Sequence, residues 1–514
     1  MDPRPRGEGL KMQRTLKLTT ILALCTFAWL FQSTLVMNWD ICWALEVTQR
    51  MAAGGSYTQN FFDMNPPLFF YLLRPTLYIA TLFSTDQFTA LHGYLFALAL
   101  LSTFICYHFA RLFFLKEHQT LLHLFFAMLL TAFLIYPLSD FGCREYLLLI
   151  FSMPYFFAVT YRLQGHTIPL FSALAIGLFA VMGFALKPYF LIPLALVELY
   201  VMYYTRNLLS WWRPEFLIIC ICLPLYALFI LLFYPDYLST VMPLVKRLYH
   251  AGFNEPMSKL LTDSCTGIFI LAILCHWLTH KSKSYKIFST ILTLAMTGFF
   301  FSYLIQGTTW DYRTLPVYAV ALCILLLNLS LFVIKHKKNA LLVLAAPLMA
   351  SIFLIPLLHL TKTYQFGLIF KKSQAPLIQF LQTNAVHQPV YFMTVDLRAI
   401  FPAVNYANAI SASRLVPFWI PSMIDAQYEN ALSPQQLQDE TYFINMIAED
   451  IDRQKPKFVL VEAKKNKAFI AKPFEYIPYL SKNSNFRAAW THYHYVTTVE
   501  QDSFYKFTIY QRHD

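Results

Sequence analysis

Four short segments of this sequence place charged residues where they could do chemistry. Residues 38–66 hold Asp40, Glu46, Arg50, Asp63 and Asn65. Residues 140–146 hold Asp140, Arg144 and Glu145, Lys187 precedes Pro188, and residues 306–316 hold Trp310, Asp311 and Arg313. A carboxylate in an apolar setting can serve as a general base. Guanidinium and ammonium groups can clamp a phosphate and stabilise charge that develops on it. Residues 40–52 repeat like a helix, and Gly54-Gly55 stop it. At about 100° per residue, Asp40, Trp43, Ala44, Val47 and Met51 share one face. An acid opening an apolar face is costly unless it is used or paired; the alternative role for Asp40 is N-cap of this helix. Glu46 and Arg50 have the spacing of a surface ion pair. Arg144 and Glu145 either hold an anion or anchor a helix end. Lys187 and Arg313 each fit a phosphate clamp or a plain anchor at a membrane surface. Ser413-Arg414 follows an apolar, aromatic stretch, so Arg414 could face a substrate groove.

The elements that must position these residues are apolar. Hydrophobic residues make up 57% of the 514 and charged residues 13%, against about 25% charged in ordinary soluble chains. That composition excludes a disordered chain, a disulfide-stapled secreted domain and an ordinary cytosolic enzyme. Nine cysteines lie mostly in apolar runs with no CxxC pair, so they read as small hydrophobes. Eleven stretches approach the roughly 20 residues a bilayer span needs: 17–37, 88–110, 119–137, 143–161, 167–186, 188–204, 215–234, 263–279, 286–305, 314–334 and 339–360. The first has basic residues before it and no small-residue cleavage site after it, so it reads as an uncleaved helix.

The run 68–83 carries Arg74-Pro75 at its centre. A mid-span arginine costs at least about 2.5 kcal/mol and proline breaks a local helix, so an interfacial or re-entrant helix is expected there. Eleven spans with the N-terminus inside gather 16 basic and four acidic residues on the cytoplasmic side, among them Arg4, Lys281, Lys283, Lys337 and Lys338. Counting 68–83 as a span would invert this asymmetry. The formal charge of +12 therefore reports orientation and not a nucleic-acid partner. The expected fold is a polytopic α-helical membrane protein with about eleven transmembrane helices, N-in and C-out. Its membrane domain, 1–360, includes a first outer loop at 38–87. After residue 360 the pattern changes: 390–396, 458–463 and 494–511 read as strands and 434–451 as helix. These predict a soluble α/β domain, 361–514, on the outer face.

The run Asp40, Ala44-Leu45-Glu46, Arg50-Met51, Gly55-x-Tyr57, Asp63-x-x-Pro66-Pro67-Leu68-x-x-Tyr71-Leu72 resembles the first outer loop of the C-type glycosyltransferases that use lipid-phosphate sugars. Protein O-mannosyltransferases and lipid A aminoarabinose transferases are its named relatives. The resemblance covers roughly residues 15–330. It implies that Asp40 is the catalytic residue, joined by Glu145, and that Pro66-Pro67-Leu68 starts a juxtamembrane helix. It implies donor-phosphate binding by Arg144, Lys187 and Arg313. Glu46, Asp63, Asn65, Tyr71, Trp310 and Arg414 are then candidates for the substrate groove. The expected partners are a polyprenyl-phosphate sugar donor, a glycan, lipid or protein acceptor, and the bilayer. The expected setting is the bacterial inner membrane, with the soluble domain periplasmic. Two departures bear on the sugar or acceptor class: Ile41 stands where many relatives have Glu, and Asn65 where aminoarabinose-type enzymes have Lys. No cofactor is assigned, and a divalent metal held by Asp40 and Glu145 is left open. A lipid-linked-sugar transporter or flippase, and a membrane assembly factor using the soluble domain, are the competing readings.

Overall fold

The computed structural model describes residues 6–279, 285–335, 341–429, 432–501 and 505–513. Arg4, Lys281, Lys283, Lys337 and Lys338 lie outside the described residues. The chain divides into two compact units. One comprises Met1–Leu35, Tyr78–Pro224 and Pro256–Tyr364; the other comprises Val36–Leu77, Leu225–Glu255 and Gln365–Asp514.

The first unit is a bundle of apolar helices. Each of the eleven expected stretches carries helix. Among the described residues, six helices are long and apolar enough to cross a membrane, and seven if Ile21–Thr34 and Trp39–Ala52 count as one span. Gln119–Leu134, Leu170–Phe184 and Ser264–Trp277 are apolar but shorter. At about 1.5 Å per residue, 16 residues extend about 24 Å. The last helix, Leu341–Asn384, runs for 44 residues and passes position 360 without a break.

At the centre lies helix Arg144–Leu163, with every residue from Arg144 to Thr160 buried. A helix that is apolar all round belongs inside a bundle. Small residues let neighbouring backbones touch. A Cβ added to Gly298 of helix Lys286–Gln306 would lie 2.2 Å from Pro193 Cα. Glu198 and Glu215 are buried in this unit and paired. Tyr155 Oη donates to Glu198 Oε1 at 2.6 Å, and Arg213 reaches the other carboxylate oxygen. Arg162 holds Glu215 through Nε at 2.6 Å and Nη2 at 2.9 Å.

The second unit contains a five-stranded sheet of order β2-β1-β3-β5-β4. Its strands are β1 (Pro389–Met393), β2 (Ile410–Ser411), β3 (Phe458–Glu462), β4 (Tyr493–Gln501) and β5 (Tyr505–Arg512). β1 runs parallel to β2 and β3, while β5 runs antiparallel to β3 and β4. Strand β3 is buried along its whole length, as a continuous apolar strand in a sheet interior should be. The expected strand 494–511 is instead a hairpin, because an 18-residue run exceeds the usual strand length and folds back on itself. Helix Pro434–Gln454 opens with a capping box between Ser433 and Gln436. Its Phe443, Ile444, Ile447 and Ile451 form the buried stripe.

Segment 36–77 packs with these elements of the second unit. Phe62 N donates to Arg414 O at 2.7 Å, and Phe62 pairs with Leu415 like a short parallel bridge. The Phe62 ring meets Trp419 and Phe443. Burying such a ring contributes about 1.5–3 kcal/mol. The helix expected here forms as Pro67–Leu82 and continues through Pro75. The lost hydrogen bond costs about 3 kcal/mol. Burial of Phe69, Phe70, Leu72, Leu73 and Thr76 on that helix offsets it. The segment 237–253 is helical but irregular, with π turns at Tyr237–Val241 and Val245–Tyr249. Its buried Tyr237, Val241, Leu244, Val245 and Leu248 make one inward face.

Candidate functional site

In the second unit, the candidate residues are built around helix Trp39–Ala52. Its N-cap is Asn38, whose side-chain oxygen accepts from Asp40 N at 2.7 Å. The alternative in which Asp40 caps this helix therefore does not hold. Both residues are good caps, and Asn38 starts the helix two positions earlier. The half-buried Asp40 carboxyl sits in the first turn, where the positive field of the helix start favours an anion.

Asp63 organises the loop that follows. It is buried and accepts from Trp43 Nε1 at 2.6 Å, from Asn65 N at 2.7 Å and from Asn65 Nδ2 at 2.6 Å. Trp43 lies three residues after Asp40, so this network fixes the loop against the same helical face. Tyr57 Oη donates to Asn65 O, which closes the loop from the other side. Tyr237 Oη donates to Met64 O at 3.0 Å, and Tyr226 Oη accepts from Leu68 N at 3.0 Å. Tyr71 Oη and Tyr234 Oη are 2.7 Å apart, with Tyr71 at the surface.

The Glu46–Arg50 pair forms, at 3.0 Å, but it is half-buried and not a surface pair. Arg50 also donates to Asn60 O at 2.8 Å, Ser413 O at 2.8 Å and Ser411 O at 2.5 Å. Gly55 is needed beside it, since an added Cβ would lie 2.7 Å from Arg50 O. Arg414 is buried and makes the matching tie. It donates to Asp450 Oδ1 at 2.5 Å, Glu449 Oε2 at 2.9 Å, Met446 O at 3.0 Å and Thr58 O at 3.1 Å. Burial is the largest influence on the Asp450 carboxyl and pushes it up, with Arg414 pulling it back.

In the first unit, the structure brings Arg144, Glu145, Lys187 and Arg313 together, although they span 170 positions of sequence. Their exposures are 6%, 1%, 7% and 5%. Lys187 Nζ donates to Glu145 Oε1 and to Gln306 Oε1, both at 2.8 Å. Arg313 donates to Gln306 O and lies over the Trp310 ring at 4.5 Å. Arg144 lies over Tyr312 at 5.6 Å. Three cations thus gather around the Glu145 carboxylate. Burial, then Arg144, pulls the Lys187 ammonium down to about 7, against the opposing pull of Glu145. Gln306 and Tyr312 belong to this group and were not singled out from sequence; nothing local ties Gln306 to a lysine 119 positions away. Among the described residues, no group of three or more His, Cys, Asp or Glu side chains could hold a metal ion.

No family model matches the sequence, and no curated protein matches it. Solved structures do. ArnT from Cupriavidus metallidurans in the apo state superposes with a TM-score of 0.56 at 11% identity, covering 98% of this chain and 98% of that one. The same protein bound to undecaprenyl phosphate gives 0.55 at 11% identity, over 96% and 97%. An Archaeoglobus fulgidus oligosaccharyltransferase tethered with an acceptor peptide gives 0.45 at 12% identity, over 86% of this chain and 69% of that one. The fold is that of a polytopic helical membrane protein with an α/β domain. More particularly, it is the fold of ArnT over nearly the whole length of both chains.

Proposed function

We propose that this protein is an integral membrane glycosyltransferase. It takes a sugar from a polyprenyl-phosphate donor and passes it to an acceptor hydroxyl on the extracytoplasmic side of the membrane. The buried group of Arg144, Lys187 and Arg313 around Glu145 carries this reading. Buried cations in an apolar bundle are stabilised by an anion, and a lipid phosphate is an anion delivered from the bilayer. The likeness in fold to a protein crystallised with undecaprenyl phosphate supports it.

In the proposed reaction, the Asp40 carboxylate accepts the proton of the acceptor hydroxyl. The oxygen then attacks the anomeric carbon from the face opposite the phosphate. A new glycosidic C–O bond forms, the bond to phosphate breaks, and the configuration inverts. The leaving phosphate keeps the bonding pair, and Arg144, Lys187 and Arg313 stabilise its charge. Glu145 holds the Lys187 ammonium in place. Glu46, Asp63 and Asn65 shape the Asp40 loop, Arg414 ties that loop to helix Pro434–Gln454 and does not face a substrate, and Tyr71 and Trp310 contact the sugar or the acceptor. Eleven spans, an inner N-terminus and a periplasmic soluble domain in a bacterial inner membrane are the setting. The test is transfer from a polyprenyl-phosphate sugar by purified protein. Asp40→Asn should insert and fold normally and lose transfer; full activity in that variant would remove Asp40 as the base.

A further inference from the structure

A cleft of about 530 Å³ opens on the soluble domain, a size suited to a small molecule. Three pieces of chain build it. Helix Pro421–Glu429 contributes Gln427, the loop 463–475 contributes Lys465, Phe474 and Glu475, and residues 476–482 contribute Tyr479 and Lys482. The loop is held in shape at several points. Phe474 N donates to Lys465 O at 3.2 Å, which closes the loop at its base. Ala471 N donates to Asp425 Oδ1 at 3.1 Å, tying the loop to helix Pro421–Glu429. Buried Lys467 faces inward, donating to Glu462 O at 3.1 Å and to Lys464 O.

The lining has two chemistries. Phe474 and Tyr479, with ring centroids 5.1 Å apart at 67°, give an apolar floor. Lys465 and Lys482 stand exposed at the edge. Lys482 Nζ lies 4.6 Å over the Tyr479 ring, 3.4 Å from Gln427 Oε1 and 3.5 Å from Glu440 Oε1. Aromatic rings pack against the C–H face of a pyranose. An amide and a carboxylate bond to its hydroxyls, and two lysines offer point charges for an anionic substituent. Lys482 is shared with Glu440 and Gln427, so a neutral sugar would leave the exposed Lys465 ammonium without a counter-charge, and a bare anion would leave the rings unused.

We propose that this cleft binds an anionic saccharide, a pyranose carrying a phosphate or a carboxylate, at a site separate from the transfer chemistry. The test uses full-length protein in detergent micelles and saturation-transfer NMR with titration. The probes are glucose 6-phosphate, glucuronate, glucose and inorganic phosphate. At least one of the two anionic sugars should bind, and which one does identifies the anion. Glucose and inorganic phosphate should bind at least tenfold more weakly. Lys465→Ala/Lys482→Ala and Lys482→Glu, both at exposed positions, should weaken the anionic sugar at least tenfold with unchanged circular dichroism. Asp40→Asn should bind it like the parent protein, so this result stands apart from the proposed transferase reaction. Failure of both anionic sugars, equal binding of inorganic phosphate or glucose, or undiminished binding by the double variant would each overturn the proposal.

Discussion

Asp63 is a buried carboxylate with three donors on it, two of them from Asn65. Asp63→Ala would leave the Trp43 indole N–H and the Asn65 amide groups buried without their acceptor, at about 1–3 kcal/mol for each orphaned group. A clear fall in thermal midpoint is expected for Asp63→Ala, and none for Asp40→Asn; equal midpoints for Asp63→Ala and the parent would contradict the network. Lys187 makes a second prediction. Its ammonium is held down to about 7, so around neutral pH the phosphate-free protein carries it only partly charged. A bound anion raises that pKa, so protons are taken up on binding. Affinity for a lipid phosphate should then fall as pH rises above 7, by up to about tenfold per unit. Lys187→Arg, always charged, should abolish that fall, and a fall of the same steepness in Lys187→Arg would assign the titration elsewhere. What the sequence could disclose here was local. The Glu46–Arg50 spacing was legible, but not the three backbone carbonyls that make Arg50 a hub, since two of them lie some 360 positions away. Asn38 and Asp40 are both capping residues two positions apart, and only backbone geometry chooses between them.

Helices and strands were legible wherever a period or an apolar run defined them. Helix Trp39–Ala52 with its Gly54-Gly55 stop, helix Pro434–Gln454, and strands β1 and β3 fall where the pattern put them. Strands β4 and β5 read as one run, although the polar Glu500-Gln501-Asp502-Ser503 was a break signal within it. Helix Pro67–Leu82 survives Pro75 because burial elsewhere on it outweighs one missing bond, and a local rule cannot weigh that. Close helix crossings leave no trace in hydropathy either. Gly298 meets Pro193 at 2.2 Å from an added Cβ, whereas Gly267 has nothing within 4 Å. Gly298→Ala should therefore cut the yield of folded protein in detergent, by roughly 1–3 kcal/mol of overpacking or more. Gly267→Ala should be neutral, and size-exclusion chromatography of the two variants decides the matter. Equal yields would mean that the crossing of helices Lys286–Gln306 and Leu191–Thr205 is looser than described.

For the molecule as a whole, composition pointed to a membrane protein, and the ArnT fold agrees with that class. Charge, predicted side of the membrane and resemblance each marked Arg144, Lys187 and Arg313 as candidates, but their contact could not be read from sequence, because contacts across so many positions follow from packing and not from spacing. The proposed topology is testable independently of chemistry. Cysteines introduced after positions 204, 285 and 338 should react only with membrane-permeant reagents in intact cells. Labelling from outside at those sites would refute the eleven-span, N-in arrangement. The proposed function itself stands or falls on Asp40. The direct measurement is single-turnover transfer of sugar from a polyprenyl-phosphate donor by purified protein, followed by mass analysis of donor and product. Asp40→Asn should bind the donor lipid as tightly as the parent protein while transfer slows by at least about a hundredfold, the lower end of what a general base contributes. Transfer at the parent rate by Asp40→Asn, or no transfer by the parent from any polyprenyl-phosphate sugar, would contradict the account.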